Sequence, residues 1–369
     1  MFINYEKSDV ISGVNQQHNI MVIVGNGFDI AVLNKYRKDN LVSSYSKFYD
    51  YLCYKGVSTT NILFQKMTYD KVNGKENWSD FEETIGELIQ ENASILELNE
   101  ALKEVQNYFL LFLNELVEPE ILVKESEDAE FYKWGINSLS NFLSDLNTVD
   151  YLNMTFPKTT DHYHMFNFLF VNFNYTSLLD NYLYLDKGQF EPHPYKSVDT
   201  NFRFHPNPQR YGEDPRHSET VWSTFVMTNI IHPHGYQSIP RSLLFGIENR
   251  MYLVNKEFNK FNKSYWAQND QRYSKYFEDT QLFIIYGSSI GKTDSWWWRR
   301  ILDSLINRDC ELIIYYYALR DTNKDAIKER FISACGDSIL EIEEFQNVKE
   351  KIYVILFSDV NQNMLFGLK

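Results

Sequence analysis

Short apolar runs alternate along the chain with segments that have helical spacing. Five runs have the length and the β-branched or aromatic content of buried strands. These runs are residues 20–24, 166–173, 282–286, 312–317 and 352–357. Shorter apolar segments lie at 230–231 and 242–245, and helical patterns lie at 30–33, 43–54, 177–184 and 295–306. Because strands alternate with helices, the pattern predicts an α/β fold with a mostly parallel, doubly wound, Rossmann-like sheet.

One stretch of the chain departs from this alternation. From about residue 78 to 146 the sequence is dense in Glu and Leu with a period close to 3.6, which predicts a helical hairpin or small bundle. We therefore predict a helical insertion or cap over residues 75–150, between the two parts of a Rossmann-like core at 1–74 and 151–369. Residues 186–228 carry most of the prolines and are predicted to be loop.

The composition excludes several classes of function but says little more about the fold. Apolar residues make up 44% of the 369 residues, enough for a sizeable core, and the formal net charge is −14. Nucleic acid is disfavoured as the main ligand, because affinity for it comes from cationic side chains. The three cysteines form no C-x-x-C pair and cannot build a four-cysteine zinc site. Without a signal pattern or a membrane-spanning apolar run, we expect a cytoplasmic protein with no membrane partner.

The first candidate for chemistry is the turn Gly25-Asn26-Gly27-Phe28-Asp29, directly after the first predicted strand. One glycine permits a tight turn, a second lets the backbone approach a pyrophosphate, and the following helix offers free N–H groups. Ile30 replaces the third glycine of the dinucleotide fingerprint. Taken alone, the pattern fits a phosphate-binding turn and an ordinary glycine turn equally well.

A second candidate is Asn174-Tyr175-Thr176, at the end of the strand predicted at 166–173. Open α/β sheets bind their ligands at such carboxyl ends. The Asn174 amide offers both a donor and an acceptor to a ribose hydroxyl or a water. The alternative is that Asn174 caps the next helix, as Asn often does.

A third candidate is His232-Pro233-His234-Gly235, whose sequence favours a loop. Histidine is the side chain best suited to proton transfer near neutral pH. Nothing nearby in the sequence supplies a third metal ligand, so we expect no metal.

A fourth candidate follows the strand predicted at 282–286. The segment Gly287–Asp294 looks like a P-loop but has three residues between its glycines where that motif has four. It fits better as another wall of a nucleotide cleft, formed by Gly287, Ser288, Ser289 and Asp294. In this interpretation Thr293, Asp294 or Ser295 caps the helix that follows.

A fifth cluster, Trp78-Ser79-Asp80-Phe81-Glu82, opens the predicted helical region. Asp80 and Glu82 lie two residues apart, so they would not share a helix face. Capping of the helix N-terminus is the interpretation that physics favours, and the sequence leaves any further role of Trp78, Asp80 and Glu82 open.

In this order, the motifs resemble the AbiH family of bacterial phage-abortive-infection proteins. The matching residues are GNGFD at 25–29, SSYSKFYDYL at 43–52, WSDFE at 78–82, FNYT at 173–176, HPHG at 232–235, and Gly287, Ser289 and Asp294. They span about residues 21–300. Ser288 departs from the family, which often has His after this glycine. The resemblance implies an effector of anti-phage defence.

The same order is similar, more remotely, to sirtuin-type NAD-binding proteins. In that class an Asn and a His flank the nicotinamide ribose, which implies catalytic roles for Asn174 and His234. The implied NAD-binding residues are Gly25, Asn26, Gly27, Phe28, Asp29, Tyr175, Thr176, His232, Gly235, Gly287, Ser288, Ser289 and Asp294. The sequence lacks the four zinc-binding cysteines of that class and has Thr176 in place of its Asp. The resemblance therefore implies NAD hydrolysis with nicotinamide release rather than protein deacylation.

Two other hypotheses compete with an NAD-consuming effector. One is a non-catalytic nucleotide sensor or assembly module that acts through a partner, with Trp296–Trp298 as a contact surface. The other is a nuclease, which is disfavoured by the net charge and by the lack of clustered acidic metal ligands. An effector lethal to its host needs restraint, so we expect a resting state that a phage-derived activator or homo-oligomer formation relieves.

Overall fold

The protein is organised around one seven-stranded sheet. The computed structural model describes residues 1–7, 11, 13–157, 160, 161, 163–184, 202–205, 223–248, 256–318, 322–336, 342–358 and 363–368. The strands are β1 Gln16–Val24, β2 His164–Asn172, β3 Phe202–Arg203, β4 Ser223–Ile231, β5 Leu282–Tyr286, β6 Glu311–Tyr317 and β7 Ile352–Phe357.

The sheet has the strand order β3-β4-β2-β1-β5-β6-β7. All neighbours pair in parallel except β3, which runs antiparallel to β4 at one edge. The six parallel strands therefore lie in the order third, second, first, fourth, fifth and sixth along the chain, which is the order of doubly wound dinucleotide-binding sheets. The mixed α/β architecture with a mostly parallel sheet is confirmed and is compatible with a Rossmann-like fold.

The helices occupy two layers. The first nine are α1 Gly27–Tyr36, α2 Tyr45–Lys55, α3 Ile62–Val72, α4 Phe81–Gln90, α5 Ile95–Leu116, α6 Pro119–Tyr132, α7 Trp134–Asn141, α8 Thr148–Asn153 and α9 Leu178–Tyr182. The others are α10 Lys263–Trp266, α11 Asn269–Arg272, α12 Ser274–Asp279, α13 Ser295–Asn307, α14 Lys324–Ala334 and α15 Ile342–Glu350.

Alternate residues of β1 enter two different hydrophobic cores. Ile20, Val22 and Val24 pack with helices α1–α9 on one face of the sheet. Met21 and Ile23 pack with helices α12–α15 on the other face. Because both faces are covered, the central strands are apolar throughout, which explains why they read as continuous hydrophobic runs.

Most predicted strands match the structure closely. β5 and β7 have the predicted bounds, while β1 begins four residues earlier than predicted, at Gln16. The prediction that residues 186–228 form a loop is wrong at its end, because β4 already begins at Ser223, and β3 lies within the same stretch. The rest of that stretch lies outside the described residues. The apolar segment at 242–245 begins on the last residue of a short 3₁₀ turn, Pro240–Ser242, and residues 243–245 have no regular structure.

Helices α1–α9 form the larger helical layer, and α5 is the longest of them with 22 residues. α2 packs against the helices that follow it: the Phe48 ring contacts that of Phe109 at a centroid distance of 4.9 Å, and Tyr49 contacts Trp78 at 5.0 Å. The division of the chain into 1–74, 75–150 and 151–369 stays a prediction. In the part of the chain that the structure describes, none of the helices is both long and apolar enough to cross a membrane.

A buried histidine pair at the opposite end of the sheet from the site gives the first testable prediction. His18 of β1 and His164 of β2 lie with Nε2 and Nδ1 3.1 Å apart, and burial lowers the pKa of His18 to about 4. The folded state therefore binds fewer protons, so this contribution to stability is present above about pH 6.5 and is lost as pH falls toward 4. Between pH 7 and pH 5 we expect His18 alone to cost about 2 kcal/mol.

The measurement is urea unfolding of the wild type and of His18→Phe at both pH values. The difference in unfolding free energy between the two proteins should shift by about 2 kcal/mol in favour of the variant at pH 5. An unchanged difference would mean that His18 is not held neutral.

Candidate functional site

The candidate site lies at the carboxyl ends of the central strands. The register pairs Val24 of β1 with both Asn172 of β2 and Tyr286 of β5, so the segments after these strands leave the sheet side by side. The strand order reverses between β1 and β5, and open α/β sheets bind ligands at such switch points. A cavity of about 1000 Å³ opens here, at the upper end of the roughly 300–1,000 Å³ typical of small-molecule sites.

Residues from four predicted motifs line this one cavity. The predicted residues in its wall are Gly25, Asn26, Gly27, Asp29, Asn174, Tyr175, Thr176, His234, Gly287, Ser288, Ser289 and Asp294. Phe28, His232 and Gly235 lie outside the wall. Phe28 packs in the core against Tyr182, and His232 Nε2 lies 3.1 Å from Asp180 Oδ1. Gly235 turns the chain with φ +95° and packs on the backbone of Ser242.

The two glycine turns pack backbone against backbone. Gly25 N–H donates to the Tyr286 carbonyl and Gly27 N–H to the Gly287 carbonyl, each at 2.8 Å. A Cβ added at Gly25 would lie 2.7 Å from Ser288 Cα, and one at Gly27 would lie 2.7 Å from Gly287 Cα. Gly25 and Gly27 therefore permit a close approach between the first glycine turn and the backbone of the second. The first N–H group of α1, that of Gly27, already donates to the Gly287 carbonyl and so is not free for a phosphate.

This packing predicts a sharp difference between two glycines. Gly25→Ala should lower the unfolding free energy by about 1–3 kcal/mol, because the backbone of the second turn cannot move aside cheaply. Gly291→Ala in the same region is the control, since its Cβ would meet only the Ser289 and Thr293 hydroxyl oxygens at 3.6 Å. Chemical denaturation measures both, and equal midpoints for the two variants would contradict the packing.

Asn26 and Asp29 fasten the first turn to neighbouring segments. Asn26 Nδ2 donates to the Ser43 carbonyl at 2.8 Å, and the Ser43 hydroxyl donates back to Asn26 Oδ1 at 2.5 Å. The Thr176 hydroxyl donates to Asp29 Oδ2 at 2.7 Å, while Asp29 Oδ1 is buried without a partner in the described structure. Burial raises the pKa of Asp29 to about 7.

Asn174 does not cap the following helix. Its Nδ2 donates to the Gly25 carbonyl at 3.2 Å, and the N-cap of α9 is Ser177. Asn174 Oδ1 has no hydrogen bond within the described residues, so this acceptor is left for a ligand in the cavity. The Tyr175 hydroxyl donates to the Leu244 carbonyl at 3.1 Å and fixes the next loop.

His234 is held rigidly at the cavity wall. Its ring stacks on Phe173 at a centroid distance of 4.5 Å, and Nε2 lies 3.1 Å from Asp294 Oδ1. The ring also forms a hydrogen bond with the Phe173 backbone. Burial and the nearby Lys263 ammonium lower the pKa of His234, which favours the neutral ring at neutral pH.

Lys263 lies behind this histidine, and no sequence motif indicated it. Its side chain is 2% exposed, and its Nζ donates to Asp294 Oδ1 at 2.8 Å and to Glu82 Oε2 at 3.0 Å. The ammonium therefore joins the turn after β5 to helix α4. We name His234, Asp294, Lys263 and Glu82 the buried charge network.

The charge states in this network follow from burial and pairing. Burial alone would raise the pKa of Asp294, but Lys263 and His234 outweigh it and hold the pKa well below its usual range. Burial lowers the pKa of Lys263, but the carboxylates of Asp294 and Glu82 raise it by a larger amount, so Lys263 stays charged. Burial raises the pKa of Glu82 to about 7 despite its pairing with Lys263.

Three expectations about individual side chains have clear outcomes. Asp80 caps α4, as predicted, because its Oδ1 accepts from the backbone N–H groups of Glu82 and Glu83. Of the three residues predicted to cap α13, which are Thr293, Asp294 and Ser295, Asp294 occupies the N-cap position, but its side chain makes no cap hydrogen bond. Trp296–Trp298 are all buried, so they form core between the sheet and the outer helices and not a partner surface.

No metal centre emerges in the described parts of the chain. There, no three His, Cys, Asp or Glu side chains are grouped so that they could hold a metal ion.

The cavity also has aromatic walls that the sequence did not single out, from Tyr45 and Phe109.

Fold and site together define an α/β protein with a cavity at the switch point of a mostly parallel sheet. The family described as "Bacteriophage abortive infection AbiH" matches residues 21–316. The chain belongs to the AbiH family, and this membership implies a role in phage abortive infection. A comparison with curated proteins finds no match.

Proposed function

We propose that the protein is an abortive-infection effector that binds NAD in this cavity and hydrolyses it, releasing nicotinamide. The observation that carries the proposal is that Asn174 and His234, 60 residues apart in the chain, line one cavity with both glycine turns. This is the set of residues expected from the sirtuin-like order of motifs.

The chemistry needs few protein groups. The bond between ribose C1′ and the nicotinamide nitrogen breaks, and its electron pair leaves with neutral nicotinamide. A water oxygen then bonds to C1′ and the water proton leaves. Asn174 Oδ1 would orient that water or a ribose hydroxyl, and the neutral His234 ring would accept the proton while Asp294 stays ionised beside it.

The alternative proposal is a nucleotide sensor without turnover. The unpartnered Asn174 Oδ1 fits either function, since it could bind a ribose without promoting cleavage. The position of the ionised Asp294 carboxylate beside His234 favours turnover, because a sensor has no need of a fixed histidine next to such a charge.

The test is the NAD content of infected bacteria. Cells that carry the wild-type protein should lose NAD after phage infection, because infection supplies the trigger that the resting state requires. Cells that carry Asn174→Ala should keep their NAD and lose protection. The structural control is Asn137→Ala, an exposed asparagine on α7 outside the cavity wall.

The outcomes separate the two functions. Protection with an unchanged NAD level in wild-type cells would contradict hydrolysis and favour the sensor. Loss of NAD in cells with Asn174→Ala as well would contradict the assignment of the site.

A further inference from the structure

We propose that Asp294 is a catalytic residue whose carboxylate faces the cationic nicotinamide ring of NAD and the positive charge that develops on the ribose. The inference rests on the proposed function and deepens it, because it names the end of the cavity that receives the nicotinamide half of the substrate.

The geometry leaves one oxygen of Asp294 available. Oδ1 accepts from Lys263 Nζ at 2.8 Å and lies 3.1 Å from His234 Nε2. Oδ2 makes no hydrogen bond within the described residues, and the residue lines the cavity. The helix that Asp294 begins does not use the side chain as a cap. The fold therefore fixes one oxygen and leaves the other to a ligand.

The charge around Asp294 favours a cation over a phosphate. Asp80 and Glu82 line the cavity close enough to Asp294 to interact with its charge, and within the described residues Lys263 is the ammonium that contacts both Glu82 and Asp294. A phosphate placed here would meet like charge. The positive groups in the cavity wall are elsewhere: Lys35 donates to the Leu368 carbonyl, and Arg330 lies by the Tyr316 hydroxyl of β6.

Aromatic rings line the same end. Tyr45, Phe109 and Tyr175 all face the cavity, and Phe109 contacts Tyr175 edge to face at a centroid distance of 5.1 Å. Aromatic faces attract cations and stack on flat rings. Aromatic walls together with an ionised carboxylate suit a flat, cationic pyridinium ring.

Asp294 would act most strongly in the transition state. As the bond to nicotinamide breaks, the ring loses its positive charge and the ribose gains it. A fixed carboxylate beside the ribose stabilises that charge without reorganisation. Asp80, Glu82 and Glu248 also interact with the charge of Asp294, which raises the pKa of each of them. Lys263 and His234 nevertheless keep the pKa of Asp294 well below its usual range, so its carboxylate stays ionised throughout the physiological pH range.

The experiment compares the oxidised and reduced dinucleotides, NAD⁺ and NADH, which differ by the positive charge of the ring. Calorimetric titration of the resting full-length protein should give about tenfold tighter binding of NAD⁺. Asp294→Asn should weaken NAD⁺ binding about tenfold and leave NADH affinity unchanged, and it should lower nicotinamide release when a lysate of phage-infected cells is added. Asp303→Asn, an exposed residue on the same helix, is the matched control.

Each outcome decides something different. Equal affinity of the wild type for NAD⁺ and NADH overturns the inference and needs no variant, so a misfolded Asp294→Asn does not obstruct the test. An equal loss of both affinities in Asp294→Asn also overturns it, because charge is then not recognised. Binding of neither dinucleotide by the wild type overturns the proposed function itself.

Discussion

Replacing His234 by alanine should lower nicotinamide release from NAD by about 10²–10⁴-fold, the usual contribution of a positioned proton-transfer group. NAD affinity should change little, because the glycine turns, Asn174 and the aromatic walls remain. The reason is geometric: His234 is stacked on Phe173 and bonded to Asp294, so no neighbouring side chain can take its place.

The measurement is the rate of nicotinamide release at saturating NAD in the presence of a lysate of phage-infected cells, with binding measured separately. His164→Ala is the control, since it removes another buried histidine, at the amino end of β2 and far from the cavity. It should lose stability but keep the rate. A His234→Ala protein that still releases nicotinamide at the wild-type rate would remove His234 from the mechanism.

Replacing Lys263 by methionine should have the largest effect on stability, a loss of about 3–5 kcal/mol of unfolding free energy. The substitution leaves the carboxylates of Glu82 and Asp294 buried without their cation. Desolvated charges without a partner are among the most costly defects in a fold.

Two further variants make this prediction specific. Lys324→Met removes a lysine whose side chain is 41% exposed and whose Nζ lies 3.5 Å from Asp150 Oδ2, and it should cost about 1 kcal/mol or less. Adding Asp294→Asn to Lys263→Met should recover part of the loss, because Asp294 is the network carboxylate that stays ionised and its unpaired charge then disappears. Equal unfolding midpoints for Lys263→Met and Lys324→Met would show that the buried charge network contributes no net stability.

The parallel strands could be predicted because they are buried on both faces. β5 and β7 were predicted to the residue for this reason, since their hydrophobic runs have sharp ends. β4 was recognised only at its last two residues. It lies next to the edge strand β3, and its second half is partly exposed and carries Thr228 and Asn229, so its pattern lacks a continuous apolar run.

Residues of the candidate site could be predicted only where they belong to a local sequence motif. The glycine turns, Asn174 and His234 follow strands, and the parallel order brings those strand ends together. Lys263 belongs to no such motif, and its partners Glu82 and Asp294 lie 181 and 31 residues away in the sequence. An isolated lysine in a polar segment is therefore expected at the surface. The prediction that Trp296–Trp298 form a contact surface was wrong for a related reason. Three consecutive helical positions spread over more than half of the helix circumference, so the sequence alone does not bury all three. Their burial depends on the second layer of helices, which packs around them.

Product analysis of the purified protein with NAD tests the central claim most directly. The protein is incubated with NAD alone and with a lysate of phage-infected cells, and nicotinamide and ADP-ribose are quantified. We expect both products in equal amounts once the phage lysate is present, and neither with Asn174→Ala. Absence of nicotinamide in every condition, together with intact phage protection by His234→Ala in cells, would contradict the proposed hydrolysis.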